Sequence, residues 1–543
     1  MKVFSFVLCL FLAAFAAAAQ TETNAPAAAG TDNNPAQAAA RDALLQNMSG
    51  SNAPMTQATN TSGQRAMSLQ DCIAEALQHN LDLQIQRYNP QISLYNLNAN
   101  YGGYDPTFSL SGTHTYDDSA TTFQSGQVIT GSKYNEDSFG SGFNGSTPWG
   151  MTYDLGGDIS STKGDKYGIT NYAIPFQNSS GQIGDAPGAG VMLTQPLLKN
   201  FWIDQTRLNV RVGKNRLEYS EQGVRGQVIT SVTAVENAYY ELIYAQENVK
   251  VQQEALTLAQ TQLDQDQQRV QIGTLAQLDV QQDEAQVATS KANLIAAQNT
   301  LSVDENALKT LLTDNYAKWH DTLIQPTATL TATMQLFDLQ DSWNKGMTER
   351  PDLLQARLDV AKQGIQLKYD NNQLYPELDL VGSYGINGSG GDFGDTFNNI
   401  NEANQRYYSY GAQLSMPLSN VGARNTFKAD KVTLKQLLLT LKKDEQTVMV
   451  DIDNAVKQAQ SSYESVQATQ QARIYAEAAL DAEQKKYAVG KSTTFTVLQL
   501  QNNLTAARSQ EIRSLADYNE ALANLASAEG STLERNNINI ELK

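Results

Sequence analysis

Thr107-Phe108-Ser109-Leu110-Ser111-Gly112-Thr113-His114-Thr115-Tyr116 is the stretch on which the fold turns. Phe108, Leu110, Gly112, His114 and Tyr116 fall on one side of an extended chain; Thr107, Ser109, Ser111, Thr113 and Thr115 fall on the other. Side chains of a strand point alternately to its two faces, so this period predicts a β-strand with one apolar and one small polar face. The alternation returns at Leu378, Leu380, Gly382, Tyr384 and Ile386, and at Tyr408, Tyr410, Ala412, Leu414 and Met416. Val191 and Leu193 lie in a fourth such piece. Apolar-out, small-polar-in alternation over about ten residues is the pattern of a water-filled membrane barrel.

The neighbouring segments argue against a soluble sandwich, which four strands flanked by very long helices would make poorly. Long helices are expected at 203–271 and 421–489, each about 100 Å long at a rise of about 1.5 Å per residue. Shorter return helices follow at 276–312 and 494–529, and leading helices precede the strands at 67–101 and 339–371. A return helix and a leading helix together match one long helix, so the two can stack end to end beside it. Val228, Val232, Val235, Tyr239, Leu242, Val249, Leu256 and Leu263 are spaced by fours and threes, with Gln246, Gln253 and Gln260 in the same stripe. Sustained heptads with polar interruptions predict coiled-coil packing.

The pattern is written twice. Leu81-Asp82-Leu83 corresponds to Pro351-Asp352-Leu353, and at the same offset Arg87, Pro106, Leu110 and Gly112 meet Arg357, Pro376, Leu380 and Gly382. Further on, Gln195-Pro196-Leu197 meets Met416-Pro417-Leu418, Gly273 meets Gly490, and Val280 meets Val497. The expected divisions are a signal peptide (1–19), a low-complexity extension (20–66), repeat one (67–312), an equatorial linker (313–338), repeat two (339–529) and a tail (530–543). The leader reading rests on Met1-Lys2, the apolar run Val3–Ala19 and the closing alanines. Between repeat-one strands, the Gly- and Ser-rich stretch 117–188 holds a further alternating piece, Trp149–Ser160, which fits an extracellular hairpin, the favoured reading, or a longer continuation of the barrel strands.

Composition narrows the function. The net charge of −18 argues against nucleic acid as a partner. His79, His114 and His320 are far apart and Cys72 stands alone beyond the leader, so no metal-ligand spacing exists. No second apolar run could form a membrane helix, and a membrane protein without one must use strands. Four strands cannot close a barrel and open edges are forbidden in lipid, so copies must assemble. No catalytic constellation can be placed, and no cofactor is expected. Asp392 and Asp395, in the Gly-rich loop 387–404, make at most a weak calcium site.

These residues resemble the TolC family of outer-membrane efflux proteins. The resemblance covers about 67–529 and rests on the duplicated plan, on Gln195–Leu198 after a strand, and on two tip motifs. The tips read Arg269-Val270-Gln271-Ile272-Gly273-Thr274 and Lys486-Tyr487-Ala488-Val489-Gly490-Lys491. The resemblance implies a homotrimer in outer-membrane lipid: a twelve-stranded β-barrel continued by a periplasmic α-helical barrel. It also implies a periplasmic adaptor and an inner-membrane transporter as partners, with the chain as their passive export duct. A surface-exposed adhesive coiled coil is the alternative.

At the tips, Gly273 and Gly490 end long helices where a left-handed residue is wanted. Exposed Val270, Ile272, Ala488 and Val489, with Arg269, Thr274 and Lys491 beside them, are the expected adaptor-docking groups. For the gate, the resemblance implies an Asp on one copy and a Tyr and Arg on the other. Asp279 and Tyr487 stand at the matching spacings, and Ser492 replaces the Arg. Acidic rings of the family map to the neutral Thr496 and Gln499.

Overall fold

The computed structural model describes residues 63–119, 122–124, 127–129, 133–166, 169–172, 189–388, 398–400, 402 and 405–539. The leader, the extension up to 62, Asp392 and Asp395 lie outside the described residues. All the described residues lie in one compact unit.

Strand β1 (Gln64–Met67) opens the fold and pairs in parallel with β9 (Leu323–Pro326), tying the end of the extension to the linker. Tyr239 fastens the pair: its hydroxyl donates to the Met67 carbonyl at 3.1 Å and accepts from the Ala328 amide at 3.3 Å. The expected boundary between 66 and 67 therefore falls inside a strand.

The leading helices are each broken once. Helices α1 (Leu69–His79) and α2 (Leu81–Tyr101) meet at Asn80, whose extended backbone ends one helix while its side chain accepts from the Leu83 amide and caps the next. Helices α5 (Leu339–Glu349) and α6 (Pro351–Asn372) meet at Arg350. A residue before proline is pushed to extended geometry, and proline at the first helical position is already shaped for a helix. These breaks correct the expectation of continuous helices over 67–101 and 339–371.

The long helices are α3 (Gln205–Gln271) and α7 (Val421–Ala488); the return helices are α4 (Gln277–Leu312) and α8 (Thr494–Glu529). Helices α2 and α4 both lie along α3, and α5, α6 and α8 lie along α7. Val228, Val232, Val235, Tyr239, Leu242 and Leu256 of the heptad stripe are buried. Arg513 of α8 ties the two halves together, donating to Glu241 of α3 at 2.7 Å and to Asp517 at 2.7 Å. Cys72 is buried, and burial pushes its thiol up to about 12, which leaves it inert.

The main sheet corrects the strand count. Six long strands run in the order β11 (Gln405–Ser415), β10 (Glu377–Asn387), β8 (Ala189–Pro196), β6 (Thr152–Lys166), β5 (Lys133–Ser146) and β2 (Thr107–Asp118). Short β7 (Ile169–Tyr172) adds to β6, and β3 (Thr122–Gln124) pairs with β4 (Gln127–Ile129) apart from this sheet. Most of Trp149–Ser160 is strand β6 of this sheet, and a strand, β5, stands before it where the sequence reads as loop. The β5–β6 turn lies at the helical end. The Ser146 hydroxyl donates to the Gly103 carbonyl at 3.0 Å, and Arg207 of α3 donates to the Pro148 carbonyl at 2.9 Å. Gly150 of this turn has φ +88°, and a Cβ there would meet the Asn200 carbonyl at 2.6 Å, so only glycine fits.

Candidate functional site at the helix tips

Both long helices end alike. Arg269, Val270, Ile272, Gly273 and Thr274 form the first tip: the Gly273 amide donates to the Val270 carbonyl and the Thr274 amide to the Arg269 carbonyl, each at 2.9 Å. In the second, Gly490 donates to Tyr487 at 3.1 Å and Lys491 to Lys486 at 2.9 Å. Gly273 and Gly490 sit at φ +80° and +73°. This is the Schellman closure expected at such glycines. A Cβ at either would meet nothing within 4 Å, so the backbone angle alone demands glycine.

The tips carry exposed apolar groups. Ile272 is 74% exposed and Val489 67%, and Leu278 and Phe495 just beyond the turns are also exposed. Ala488, Thr274 and Lys491 are exposed, while Arg269 and Val270 are half-buried. The sequence does not single out Leu278 and Phe495; each is the second residue of a return helix.

Above the tips lies a polar core. Tyr487 is buried, and its hydroxyl lies 2.8 Å from each oxygen of Asp266 and 2.9 Å from the Thr494 hydroxyl. Gln262 donates to the same carboxylate at 2.8 Å. The Arg269 guanidinium stands over the Tyr487 ring, 4.4 Å from its centroid. Burial pushes the Tyr487 phenol up to about 12. Asp283 of α4 is also fully buried, and its oxygens find no donor among the described residues. Its charged neighbour is Asp266, so a hydrogen bond between them requires a proton on one. Burial first, then Asp266, pushes the Asp283 carboxyl up to about 7.

The expected gate residues are thus only partly brought together. Tyr487 engages Asp266, not Asp279, which is half-buried at the start of α4. Ser492 donates to Glu483 at 2.6 Å. Thr496 bonds to Thr493, the cap of α8, with hydroxyls 3.0 Å apart, and Gln499 is exposed. Sequence reasoning missed Asp266, Asp283 and Thr494. A signal existed: Asp266 stands seven residues after buried Ala259, on a second heptad stripe.

Long paired helices joined to a sheet with an exposed apolar face define a channel-forming membrane protein. Residues 154–313 and 345–531 match the family of outer membrane efflux proteins, and the chain belongs to that family. It is 24% identical over 380 residues to outer membrane protein TolC of Vibrio cholerae, covering 68% of this chain and 83% of that protein. Against TolC of Escherichia coli it is 27% identical over 380 residues, covering 67% and 73%. Its fold is that of the CmeC outer membrane channel of Campylobacter jejuni, with a TM-score of 0.61, 14% identity and 94% of each chain covered. The chain works in the outer membrane as an efflux duct. The family is one of transport channels rather than enzymes.

Proposed function

We propose that three copies assemble into one duct: a closed β-barrel in the outer membrane, continued by a helical tunnel through the periplasm. The carrying observation is the sheet, which leaves β2 and β11 as open edges and exposes Leu110, Tyr408, Tyr410 and Leu414 on one face. Lipid tolerates no open edge, so β2 of one copy pairs with β11 of the next. Trp149, Trp202, Tyr101 and Tyr375 are exposed where strands meet helices, the placing of an interfacial aromatic belt. The order of elements in 67–312 and 339–529 supports the twofold repeat, which gives each copy four helical rows.

In this reading the tips dock a periplasmic adaptor, and an inner-membrane transporter supplies the energy. Cargo, whether drugs, small molecules or polypeptides, passes without chemical change. Asp266, Tyr487 and Thr494 hold the inner end closed until the adaptor engages. Purification in mild detergent tests the assembly: a heat-sensitive trimer is expected, and a monodisperse monomer with native strand content would contradict it.

A further inference from the structure

The hairpin β5–β6 stands between β2 and β8, which would otherwise be direct neighbours. Its arms are 14 and 15 residues long, enough to cross a bilayer, which takes about 9–11 tilted residues. Its turn is anchored at the helical end through Gly103 and Arg207. Both arms therefore run the height of the sheet.

Register shows which way the hairpin faces. Phe108 lies opposite Phe143, Phe143 opposite Leu155, Leu155 opposite Val191, Val191 opposite Tyr384, and Tyr384 opposite Tyr408. Residues opposite one another share a face, so one apolar line crosses all six strands without a break. Phe139, at 52% exposed, extends the band on the hairpin. The next line falls on the other face: Ser109, Gly142, Gly156, Gly190 and Gly385 stand in register there, small on five of the six strands, with Tyr407 completing the line on β11. A soluble hairpin has no reason to carry the lipid-facing pattern of its neighbours in step with them.

We infer that β5–β6 is barrel wall and that, given the trimer proposed above, three chains of six strands close a barrel of eighteen. Strands about 4.8 Å apart and tilted about 45° close, for eighteen, into a ring roughly 39 Å across; twelve would give roughly 26 Å. Twelve helical rows about 10 Å apart form a ring of roughly 38 Å. The wide barrel continues the tunnel at nearly its own width. The outer-membrane exit then sets no narrower size limit than the tunnel does, and selection by size falls to the tips. The duct suits cargo of large cross-section.

Electron cryo-microscopy of the full-length protein in lipid nanodiscs counts the strands directly. A trimer with eighteen, β5 beside β2 and β6 beside β8, is expected. A trimer with twelve and the hairpin clear of the wall overturns the inference while leaving the trimer. Six strands per chain in an assembly of two or four copies overturns the trimer and the count with it. As a second measurement, polymers added from the outer side report the bore. Removing Lys133–Lys166 should shrink the largest polymer that enters by about a third in diameter. An unchanged cut-off in a folded deletion variant contradicts the inference.

Discussion

The Tyr487 hydroxyl lies 2.8 Å from both oxygens of Asp266, joining the last turn of α7 to the last two turns of α3. The bond fixes the tip ends of the two long helices to one another. A hydrogen bond to a charged group contributes about 1.5–3 kcal/mol. Tyr487→Phe removes it and leaves a buried carboxylate short of a donor. Resting single-channel conductance should rise in Tyr487→Phe and in Asp266→Ala. Asp279→Ala, whose carboxylate does not meet Tyr487, should change it less. Equal effects from all three would show that the Asp266 contact does not hold the gate.

The Asp283 carboxyl gives the tip a pH dependence. Held at about 7, it binds its proton more tightly folded than unfolded. Its contribution is fully present below the ordinary value of 3.8 and is lost as pH rises through 7. Around it stand Asp266, Gln262 and Arg269 from α3, Asp279 from α4, Tyr487 from α7 and Thr494 from α8. Conductance should climb as pH rises from about 4 and level off above about 7. Asp283→Asn, neutral throughout, should flatten the profile at its low-pH level. A wild-type profile without such a rise would remove Asp283 from the mechanism.

Ser492→Arg should close the gate only weakly. Glu483 already accepts from Ser492 at 2.6 Å and pairs with Lys486, so a new guanidinium finds Glu483 before it finds Asp279. Combined with Glu483→Gln, the same arginine should lower conductance more, and the difference should fade at high salt as the pair is screened. Identical conductance in the single and double variants would show that Glu483 does not compete.

Gly273→Pro and Gly490→Pro should abolish export while the assembly stays in the membrane. Both glycines need φ near +75° and donate an amide to the turn, and proline allows neither. Gly→Ala at either should be milder, costing about 1–2 kcal/mol of backbone strain, because a Cβ there meets open space. Normal export by both proline variants would separate the tips from docking.

The long helices were legible to within two residues because their ends carry strong signals: Asp204 caps α3, and glycines close both tips. The breaks at Asn80 and Arg350 had signals too, an N-cap side chain and a following proline, but apolar residues on either side masked them. The β5 strand was not legible. Phe139-Gly140-Ser141-Gly142-Phe143 has apolar residues only at every fourth position, and glycine weakens strand propensity, so it reads as loop. Its partners in the sheet, not its own sequence, make it a strand. Asp266 is hidden for a related reason: on a long polar helix, an acid reads as solvated until its neighbours are known.

Reconstitution of the purified protein into a planar bilayer shows whether this chain forms a passive duct. Stepwise single-channel conductance without any energy source is expected, rising in Tyr487→Phe. A membrane-inserted, folded protein that shows no conductance steps, in wild type or in that variant, would contradict it.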